Sequence, residues 1–406
     1  MSSGPPEQGV PTASSAEMSP STPARTSSPT LTDETDVTDV TDVTDVTAAG
    51  PFLDGPSALH WRTSLLLVSA FVTVLLASVT LLFPVPYVVL EPGPAINTLG
   101  KESGHPLITV KGHTTYPAKG SLDLTTVTVT GGPDSRLSVY QVLGGWFDPA
   151  RAVVPLQVMY PPGETIESSR KENEQEMVSS QESATVAALE ELGILVPTTL
   201  TVYSVDPGTP PSTLRPKDEL LAIDGKPIVN LEGLATILSR VRPGKTVAVT
   251  VRRNGARAVV RTPTRRWEDG RTILGIRVDP TFRPPIDVKI SIDNVGGPSA
   301  GTMFALGLID LLTPGDLTGG RHIAGTGTID AAGGVGPIGG IQQKLVGARD
   351  AGATWFLAPR ENCGEVVGHV PDGLRVVSID TLASAHDAVR RIAANRDLGS
   401  LPACTR

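Results

Sequence analysis

Cysteine and aromatic residues are scarce in the 406-residue sequence, and basic residues do not outnumber acidic ones. The two cysteines, Cys363 and Cys404, form no C-x-x-C pair, and no His/Cys cluster has zinc-ligand spacing. Aromatic residues make up 4% of the chain, the net charge is −8, and no basic stripe is interleaved with aromatics. These features argue against nucleic acid as the main partner, and we expect neither a metal nor a cofactor.

Large apolar residues are also rare in residues 1–60, which are rich in Ser, Thr, Pro and Asp. A short repeat, TDVTDVTDVTDV, runs from Thr35 to Val46. A stretch of this composition cannot bury enough apolar surface to offset the entropy of ordering it. We therefore expect residues 1–60 to form a disordered acidic tail.

Charge is absent from Thr63 to Phe83, within WRTSLLLVSAFVTVLLASVTLLFPVP. That length matches one bilayer crossing, which takes about 20 residues. A cleaved signal peptide has a shorter apolar core, of about 7–15 residues, close to the start of the chain. We therefore expect an uncleaved, single-pass transmembrane helix over residues 61–84.

Basic residues near the span predict its orientation. Arg62 lies at its N-terminal end, and the next basic residue after the span is Lys101. This places the N-terminus in the cytoplasm and the remainder of the chain outside it. In that compartment a disulfide between Cys363 and Cys404 is an alternative to two unrelated thiols.

Residues 85–195 are expected to form a strand-rich membrane-proximal region with one helix. Polar and apolar residues alternate over Gly120–Gly132, which predicts a strand. A charged, helix-favouring stretch begins at Glu167, and its apolar positions gather over Ala184–Leu192, where we expect the helix to pack.

Residues 196–265 resemble a bacterial-type PDZ domain. The resemblance rests on a strand over Val202–Val205, the segment LRPKDELLAIDGKPI, a helix over Leu231–Ser239 and the strand TVAVTVRRNG. It implies binding of an extended peptide at a sheet edge, with Leu192–Ile194 as the carboxylate-binding loop. The alternative is a domain that only spaces its neighbours.

The sequence GGPSAG contains Ser299 between a strand-like stretch, DVKISIDNV, and an apolar stretch that is typical of a helix. A serine at the start of a helix is a common N-cap. The same position also suits a nucleophile, because free backbone N–H groups there can stabilise an oxyanion. A nucleophilic serine also needs a base.

Two kinds of base follow Ser299 in the chain. Gly297–Gly301 match the G-x-S-x-G pattern of α/β-hydrolases, which use histidine, and histidines follow at His322, His369 and His386. The other candidate is Lys344, in PIGGIQQKLVGARDAGA. On a helix it shares an apolar face with Ile341, Leu345 and Ala348. Such a lysine either reaches solvent at the edge of the face or is buried with a lowered pKa.

Three motifs resemble the proteolytic domain of the Lon family, and the resemblance covers residues 270–395. In chain order they are GGPSAG, IAGTGTI and PIGGIQQK, and the lysine of the last lies 45 residues after the serine of the first. The complete arrangement resembles bacterial membrane-anchored, PDZ-containing Lon-like serine proteases. The resemblance implies Ser299 as nucleophile, Lys344 as general base and Thr326 as a hydrogen-bond partner of the lysine. Gly296 and Thr328 stand where the family often has acidic residues, and Asp293 could replace the first. The resemblance also implies a hexameric ring.

An ATPase is not expected. The segment PGKT (Pro243–Thr246) has Ser239 where the phosphate-binding loop G-x-x-x-x-G-K-[ST] requires glycine, and no other stretch supplies that pattern.

The predicted fold is a multidomain α+β protein: a disordered tail, a transmembrane helix, a PDZ domain, a Lon-type proteolytic domain and a C-terminal tail (396–406). The predicted function is that of an ATP-independent serine endopeptidase in the bacterial cell membrane, which cleaves unfolded or flexible protein segments. The alternatives are a catalytically silent PDZ scaffold and a Ser-His esterase.

Overall fold

The computed structural model describes residues 58–102, 104–206 and 214–405. The predicted acidic tail therefore lies outside the described residues, apart from its last three positions. The first described element is the helix α1 (Ala58–Leu81). Within it, Trp61–Leu81 is long and apolar enough to cross a membrane, by length and composition alone.

Strands dominate the chain that follows α1, with one long helix at the end of this region. The elements are β1 (Pro84–Val85), β2 (Tyr87–Asn97), β3 (Lys101–Glu102), β4 (His105–Pro106), β5 (Ile108–Lys111), β6 (Ser121–Thr130), β7 (Leu137–Ser138), α2 (Val139–Phe147), β8 (Ala152–Pro155), α3 (Leu156–Met159) and α4 (Ile166–Glu191). The predicted strand after Gly120 and the predicted helix around Glu167 are confirmed. The buried residues of α4 include Ala184–Leu189, close to the expected packing region.

The next region forms a sheet in the order β13-β12-β10-β9-β16 around a hydrophobic core of its own. Its elements are β9 (Thr198–Val205), β10 (Glu219–Ile223), β11 (Lys226–Pro227), α5 (Leu231–Ser239), β12 (Thr246–Arg253), β13 (Ala256–Pro263), β14 (Arg265–Arg266), β15 (Thr272–Ile273) and β16 (Ile276–Phe282). The predicted bounds of α5 are confirmed. The edge strand β16 comes from beyond the segment that resembles a PDZ domain.

The last region alternates strands and helices. Its elements are β17 (Asp287–Ile290), α6 (Gly301–Leu312), β18 (His322–Gly325), β19 (Thr328–Ile329), β20 (Val335–Gly336), α7 (Ile341–Asp350), β21 (Trp355–Pro359), α8 (Cys363–Val366), β22 (Arg375–Ile379) and α9 (Leu382–Ala394). The nearly continuous apolar sequence of α6 has a simple cause, because every residue from Gly301 to Asp310 is buried.

The first and last regions share one sheet and one core. The sheet has the order β22-β21-β18-β6-β2-β8, with β6 pairing in parallel with β18 and antiparallel with β2. The core joins Leu122 and Leu124 of β6, Leu189 of α4, and Phe304 and Leu308 of α6. The predicted domain limits at 195 and 270 remain predictions. The shared sheet and core are formed by residues that precede and residues that follow the β9–β16 sheet in the sequence.

A disulfide attaches the end of the chain to the last region. Cys363, at the start of α8, is bonded to Cys404, and their Cα atoms are 4.9 Å apart. The structure therefore forms the disulfide rather than two unrelated thiols. It joins the predicted C-terminal tail to the layer that also carries α7 and β21.

Candidate active site

Ser299 lies in the loop between β17 and α6. The helix begins at Gly301 with Ala300 at the N-cap, and no side chain caps it. The interpretation of Ser299 as an N-cap is therefore wrong, and its hydroxyl is available for other contacts. Gly297 adopts φ 84°, a left-handed conformation that favours glycine in this turn.

Helix α4 holds this loop in place. The hydroxyl of Ser180 donates a hydrogen bond to the carbonyl of Pro298 (2.9 Å), and the Gly297 N–H donates to the carbonyl of Asn173 (2.9 Å). Sequence reasoning did not identify Asn173 or Ser180, which lie in a charged, polar stretch. Their spacing of seven residues, two helical turns, is the signal that places them on one face.

Lys344 lies on α7, with Gly340 as the N-cap in a left-handed conformation (φ 69°). The neighbouring Ile341, Leu345 and Ala348 are fully buried, which confirms the predicted apolar face. The lysine is 2% exposed, so the alternative in which it reaches solvent is wrong. Its Nζ lies 2.8 Å from the Ser299 Oγ.

Burial alters the protonation of this lysine. Removing the ammonium from water disfavours the charged form and lowers the pKa of Lys344 to about 7. Among the described residues, no carboxylate forms an ion pair with Nζ that would offset this effect. A large fraction of the amine is therefore neutral near neutral pH.

Thr326 forms hydrogen bonds with both Ser299 and Lys344. Its hydroxyl donates a hydrogen bond to the Ser299 carbonyl (3.0 Å) and accepts one from the Lys344 Nζ (3.0 Å). The residue is fully buried, in the turn that follows β18. The structure therefore brings together Ser299, Lys344 and Thr326.

The serine and the lysine line a cleft of about 540 Å³. One wall is Thr125–Val129 of β6, and another is Asn294–Gly296. Strand β6 pairs with β18 only as far as Leu124, so beyond that residue its edge faces the cleft with no described strand beside it. The cleft thus combines a hydroxyl, a buried amine and an open strand edge.

Two family models match parts of this chain. Residues 287–392 match the model of the Lon protease (S16) C-terminal proteolytic domain, and residues 171–264 match that of the PDZ domain. The chain carries a Lon-type proteolytic domain and a PDZ domain. Together with the mixed sheets and helices of the structure, these matches confirm the predicted multidomain fold class.

Individual relatives match within the Lon-type domain. Lon protease 1 of Bacillus subtilis (strain 168) is 34% identical over 116 residues, which cover 28% of this chain and 15% of that protein. Lon protease 2 of Herpetosiphon aurantiacus is 39% identical over 94 residues, covering 22% and 11%. The chain therefore spans about one seventh or less of the length of these two relatives.

Among solved structures, the PDZ domain of an SdrC-like protein from Listeria monocytogenes is 18% identical and covers 20% of this chain and 85% of that chain. Its TM-score is 0.19, too low to support a structural argument.

The other polar residues considered around the Lon-type site lie elsewhere. The Asp293 N–H donates a hydrogen bond to the Glu102 carboxylate, and both residues line a different cleft. The carbonyl of Thr328 accepts a hydrogen bond from Thr302. Within the described ranges, no carboxylate bonds the side chains of Ser299, Lys344 or Thr326.

The histidines also have other partners. The ring of His322 bonds the carboxylate of Asp123, and that of His386 bonds Glu191 at 3.0 Å. In the part of the chain that the structure describes, no histidine forms a hydrogen bond with Ser299. Among the described residues, the Ser-His esterase interpretation thus has no histidine base at this serine.

The PDZ domain contains a second cleft, of about 690 Å³, between α5 and the edge strand β16. Its apolar lining includes Leu234, Leu238, Leu274, Ile276 and Val278. In the described sheet, β16 pairs only with β9, which leaves its other edge toward this cleft.

The tripeptide predicted to be the carboxylate-binding loop lies away from this cleft. Leu192 and Ile194 follow α4 and pack against the core of the Lon-type unit. A similar tripeptide, Leu274–Gly275–Ile276, lies at the cleft, and its last residue begins β16. Leu192–Ile194 therefore do not line the cleft between α5 and β16, whereas Leu274 and Ile276 do.

Proposed function

We propose that this chain is a membrane-anchored, ATP-independent serine endopeptidase with Ser299 and Lys344 as its catalytic dyad. The observation that carries the proposal is the 2.8 Å distance between the Ser299 Oγ and the Nζ of a buried lysine. A lysine with a pKa of about 7 is a competent general base near neutral pH.

Thr326 supports the orientation of the base. A neutral amine has two hydrogens and one lone pair. Because the Thr326 hydroxyl donates its hydrogen to the Ser299 carbonyl, it can only accept from the amine. The lone pair of Lys344 is then left to accept the hydrogen of the Ser299 hydroxyl.

The chemistry follows from these roles. Lys344 takes the hydroxyl proton as the Ser299 Oγ attacks a peptide carbonyl, which gives a tetrahedral oxyanion. The resulting ammonium then protonates the leaving amine, and an acyl-enzyme remains. Water attacks this ester with Lys344 again as base, which releases the acid and restores the hydroxyl.

Backbone N–H groups next to the serine supply oxyanion stabilisation in this proposal. The Gly297 N–H is already bonded to Asn173. Among the described residues, the N–H groups of Ser299 and Ala300 have no acceptor. These two groups are therefore the preferred donors, and each contributes on the order of 3 kcal/mol.

The substrates are proposed to be unfolded or flexible protein segments. The open edge of β6 at Thr125–Val129 suits an extended chain, which can bind there by strand addition. Since no phosphate-binding loop pattern occurs in the sequence, this chain supplies no unfolding motor of its own. The cleft between α5 and β16 would bind further peptide segments of the same substrates.

The proposed location is the bacterial cell membrane, with α1 as the anchor and the catalytic domain outside the cytoplasm. The length and composition of Trp61–Leu81 support the anchor. The disulfide between Cys363 and Cys404 supports the orientation, because disulfides persist in oxidising compartments.

The dyad is tested with the purified full-length chain in detergent, an unstructured protein as substrate and no ATP. Ser299→Ala and Lys344→Met should each lower the cleavage rate by at least about 10³-fold, as expected when one member of a catalytic group is removed. His322→Asn is the matched control and should retain activity. Undiminished cleavage by either dyad variant would overturn the proposal.

A reactive phosphonate separates the protease from a silent scaffold. It should label the wild-type protein and leave Ser299→Ala unlabelled, because only an activated serine attacks phosphorus. A wild-type protein that neither reacts with the probe nor cleaves the substrate would favour the scaffold.

A further inference from the structure

Helix α2 (Val139–Phe147) is apolar on two sides. It contains no charged residue, and Gln141 is its one amide side chain. One side, with Val142 and Gly145, is buried. A side chain added at Gly145 would meet Val153 and Val89 at 3.0 and 3.3 Å, so this side packs closely on β8 and β2.

The other side carries large aromatic residues that are more than half exposed, although the Trp146 ring also packs edge-on against Tyr87 (ring centroids 6.4 Å apart). Tyr140 is 53% exposed, Trp146 62% and Phe147 85%. Tyr140 and Phe147 are seven residues apart and share one stripe of the helix. Exposed apolar patches of this kind mark contact sites for another protein or for lipid. We therefore expect a layer of one of these kinds to cover this face.

Backbone contacts fix α2 beside the end of α1. The Val139 N–H donates a hydrogen bond to the carbonyl of Phe83 (3.1 Å), two residues beyond α1. Strand β1, which follows directly, pairs with β7, the strand that leads into α2. The exposed aromatic face therefore begins next to the C-terminal end of the apolar span.

Helix α3 is also held next to the first residues after α1. The Leu156 N–H donates a hydrogen bond to the carbonyl of Pro86 (2.9 Å), and Val158 on this helix is 66% exposed. Two short elements with exposed apolar side chains are thus attached to the first residues after α1.

We propose that the face of α2 formed by Tyr140, Trp146 and Phe147 inserts into the headgroup region of the membrane that α1 crosses. The inference rests on the proposed membrane anchor. Tyr and Trp are enriched at membrane–water interfaces, where one part of the ring is apolar and another reaches water. The continuity of this face with α1 and its lack of charge favour lipid over a second protein. The depth of insertion is about 5–10 Å.

The test uses the full chain in vesicles of phosphatidylcholine and phosphatidylglycerol. Because both native cysteines are in the disulfide, one introduced cysteine can be labelled selectively with an environment-sensitive fluorophore. The probe position is Phe147→Cys. Two controls are Tyr203→Cys, on the PDZ domain and 72% exposed, and Leu75→Cys, within α1. Quenching is measured with lipids that carry a nitroxide near the headgroup or near the end of the acyl chain.

The label at Phe147→Cys should be quenched by the shallow nitroxide, whereas the label at Tyr203→Cys should be unaffected. The label at Leu75→Cys should be quenched by the deep nitroxide, which reports the anchor itself. An unquenched label at Phe147→Cys, together with a quenched one at Leu75→Cys, would refute the insertion of α2 and leave the anchor intact. If neither is quenched, the anchor fails and the insertion fails with it. Tyr140→Cys, on the same stripe, should reproduce the result at Phe147→Cys and so excludes a local effect of the label.

Discussion

At the scale of single residues, the proposed mechanism makes the pKa of Lys344 control how activity depends on pH. Only the neutral amine can accept the Ser299 proton, and burial lowers the pKa of this lysine to about 7. The neutral fraction rises as the pH is raised through that value. We therefore expect kcat/KM to increase about tenfold per pH unit below about 7 and to level off above it.

This rising limb of the pH profile of kcat/KM is measured from initial rates of peptide cleavage, across the pH range in which the protein stays folded. A histidine base would give a similar limb, because its ordinary pKa is about 6.5. The control is therefore His322→Asn, which should keep both the rate and the limb. A limb that disappears in this variant, or a rate independent of pH, would contradict the assignment to Lys344.

Thr326 offers a second test at this scale. In Thr326→Val the hydroxyl that accepts from Lys344 and donates to the Ser299 carbonyl is replaced by a methyl group of similar size. Each lost hydrogen bond costs about 1 kcal/mol, which is a factor of about five, so we expect kcat to fall by roughly 5- to 30-fold with little change in KM.

The conservative variant Thr326→Ser keeps the hydroxyl and should restore most of the rate. Steady-state kinetics of the two variants, with thermal unfolding as a check on stability, distinguish orientation of the lysine from a packing role. A loss of kcat in Thr326→Ser but not in Thr326→Val would point to packing, because serine lacks the methyl group whereas valine keeps the size of the side chain.

At the scale of elements, the position of α7 on the sheet depends on Gly347. A Cβ atom at this position would lie 2.8 Å from the carbonyl oxygen of Gly93, in the irregular part of β2. Alanine favours a helix over glycine by about 1 kcal/mol, but this close contact forces the two elements apart. We expect Gly347→Ala to destabilise the protein by about 1–3 kcal/mol and to slow cleavage, because α7 carries Lys344.

The matched control is Gly364→Ala in α8, where an added Cβ would have no atom within 4 Å. Thermal unfolding and the cleavage rate should be close to wild type in this variant. If Gly347→Ala were equally silent, the packing of α7 on β2 would not determine where Lys344 lies.

Local sequence patterns predict several of these elements well. The glycines and apolar spacing of PIGGIQQKLVGARDAGA predict α7 and the buried face on which Lys344 lies, because helical periodicity is a property of neighbouring residues. The same holds for β6 and α5. The contact between Ser299 and Lys344 could be predicted only from the order of the motifs. No local sequence pattern shows that two elements 45 residues apart lie in contact.

Pairings between distant parts of the chain could not be predicted in this way. Thr125 bonds the carbonyl of Gly325, 200 residues away, and their strands are adjacent in one sheet. Strand alternation shows which face is buried but not which strand lies alongside. For the same reason, local sequence does not show whether Leu192–Ile194 or Leu274–Ile276 borders α5, since only tertiary structure decides which tripeptide does.

At the scale of the whole molecule, the proposed topology predicts which positions are accessible from outside the cell. Tyr203→Cys lies on the exposed surface of the PDZ domain, and Ser27→Cys lies in the tail before α1. In intact cells a membrane-impermeant maleimide should label Tyr203→Cys and leave Ser27→Cys unlabelled, because a charged reagent cannot cross the bilayer. Permeabilisation should then expose Ser27→Cys to the reagent.

The native cysteines provide the internal control for this experiment. Cys363 and Cys404 are joined in the structure, so the wild-type chain should remain unlabelled until a reductant is added. An oxidising compartment preserves this bond, whereas cytoplasmic thiol systems would reduce it. Labelling of Ser27→Cys in intact cells, with Tyr203→Cys protected, would reverse the orientation inferred from Arg62 and Lys101. It would also place the proposed dyad and the proposed substrates on the cytoplasmic side, where thiol systems would reduce the disulfide.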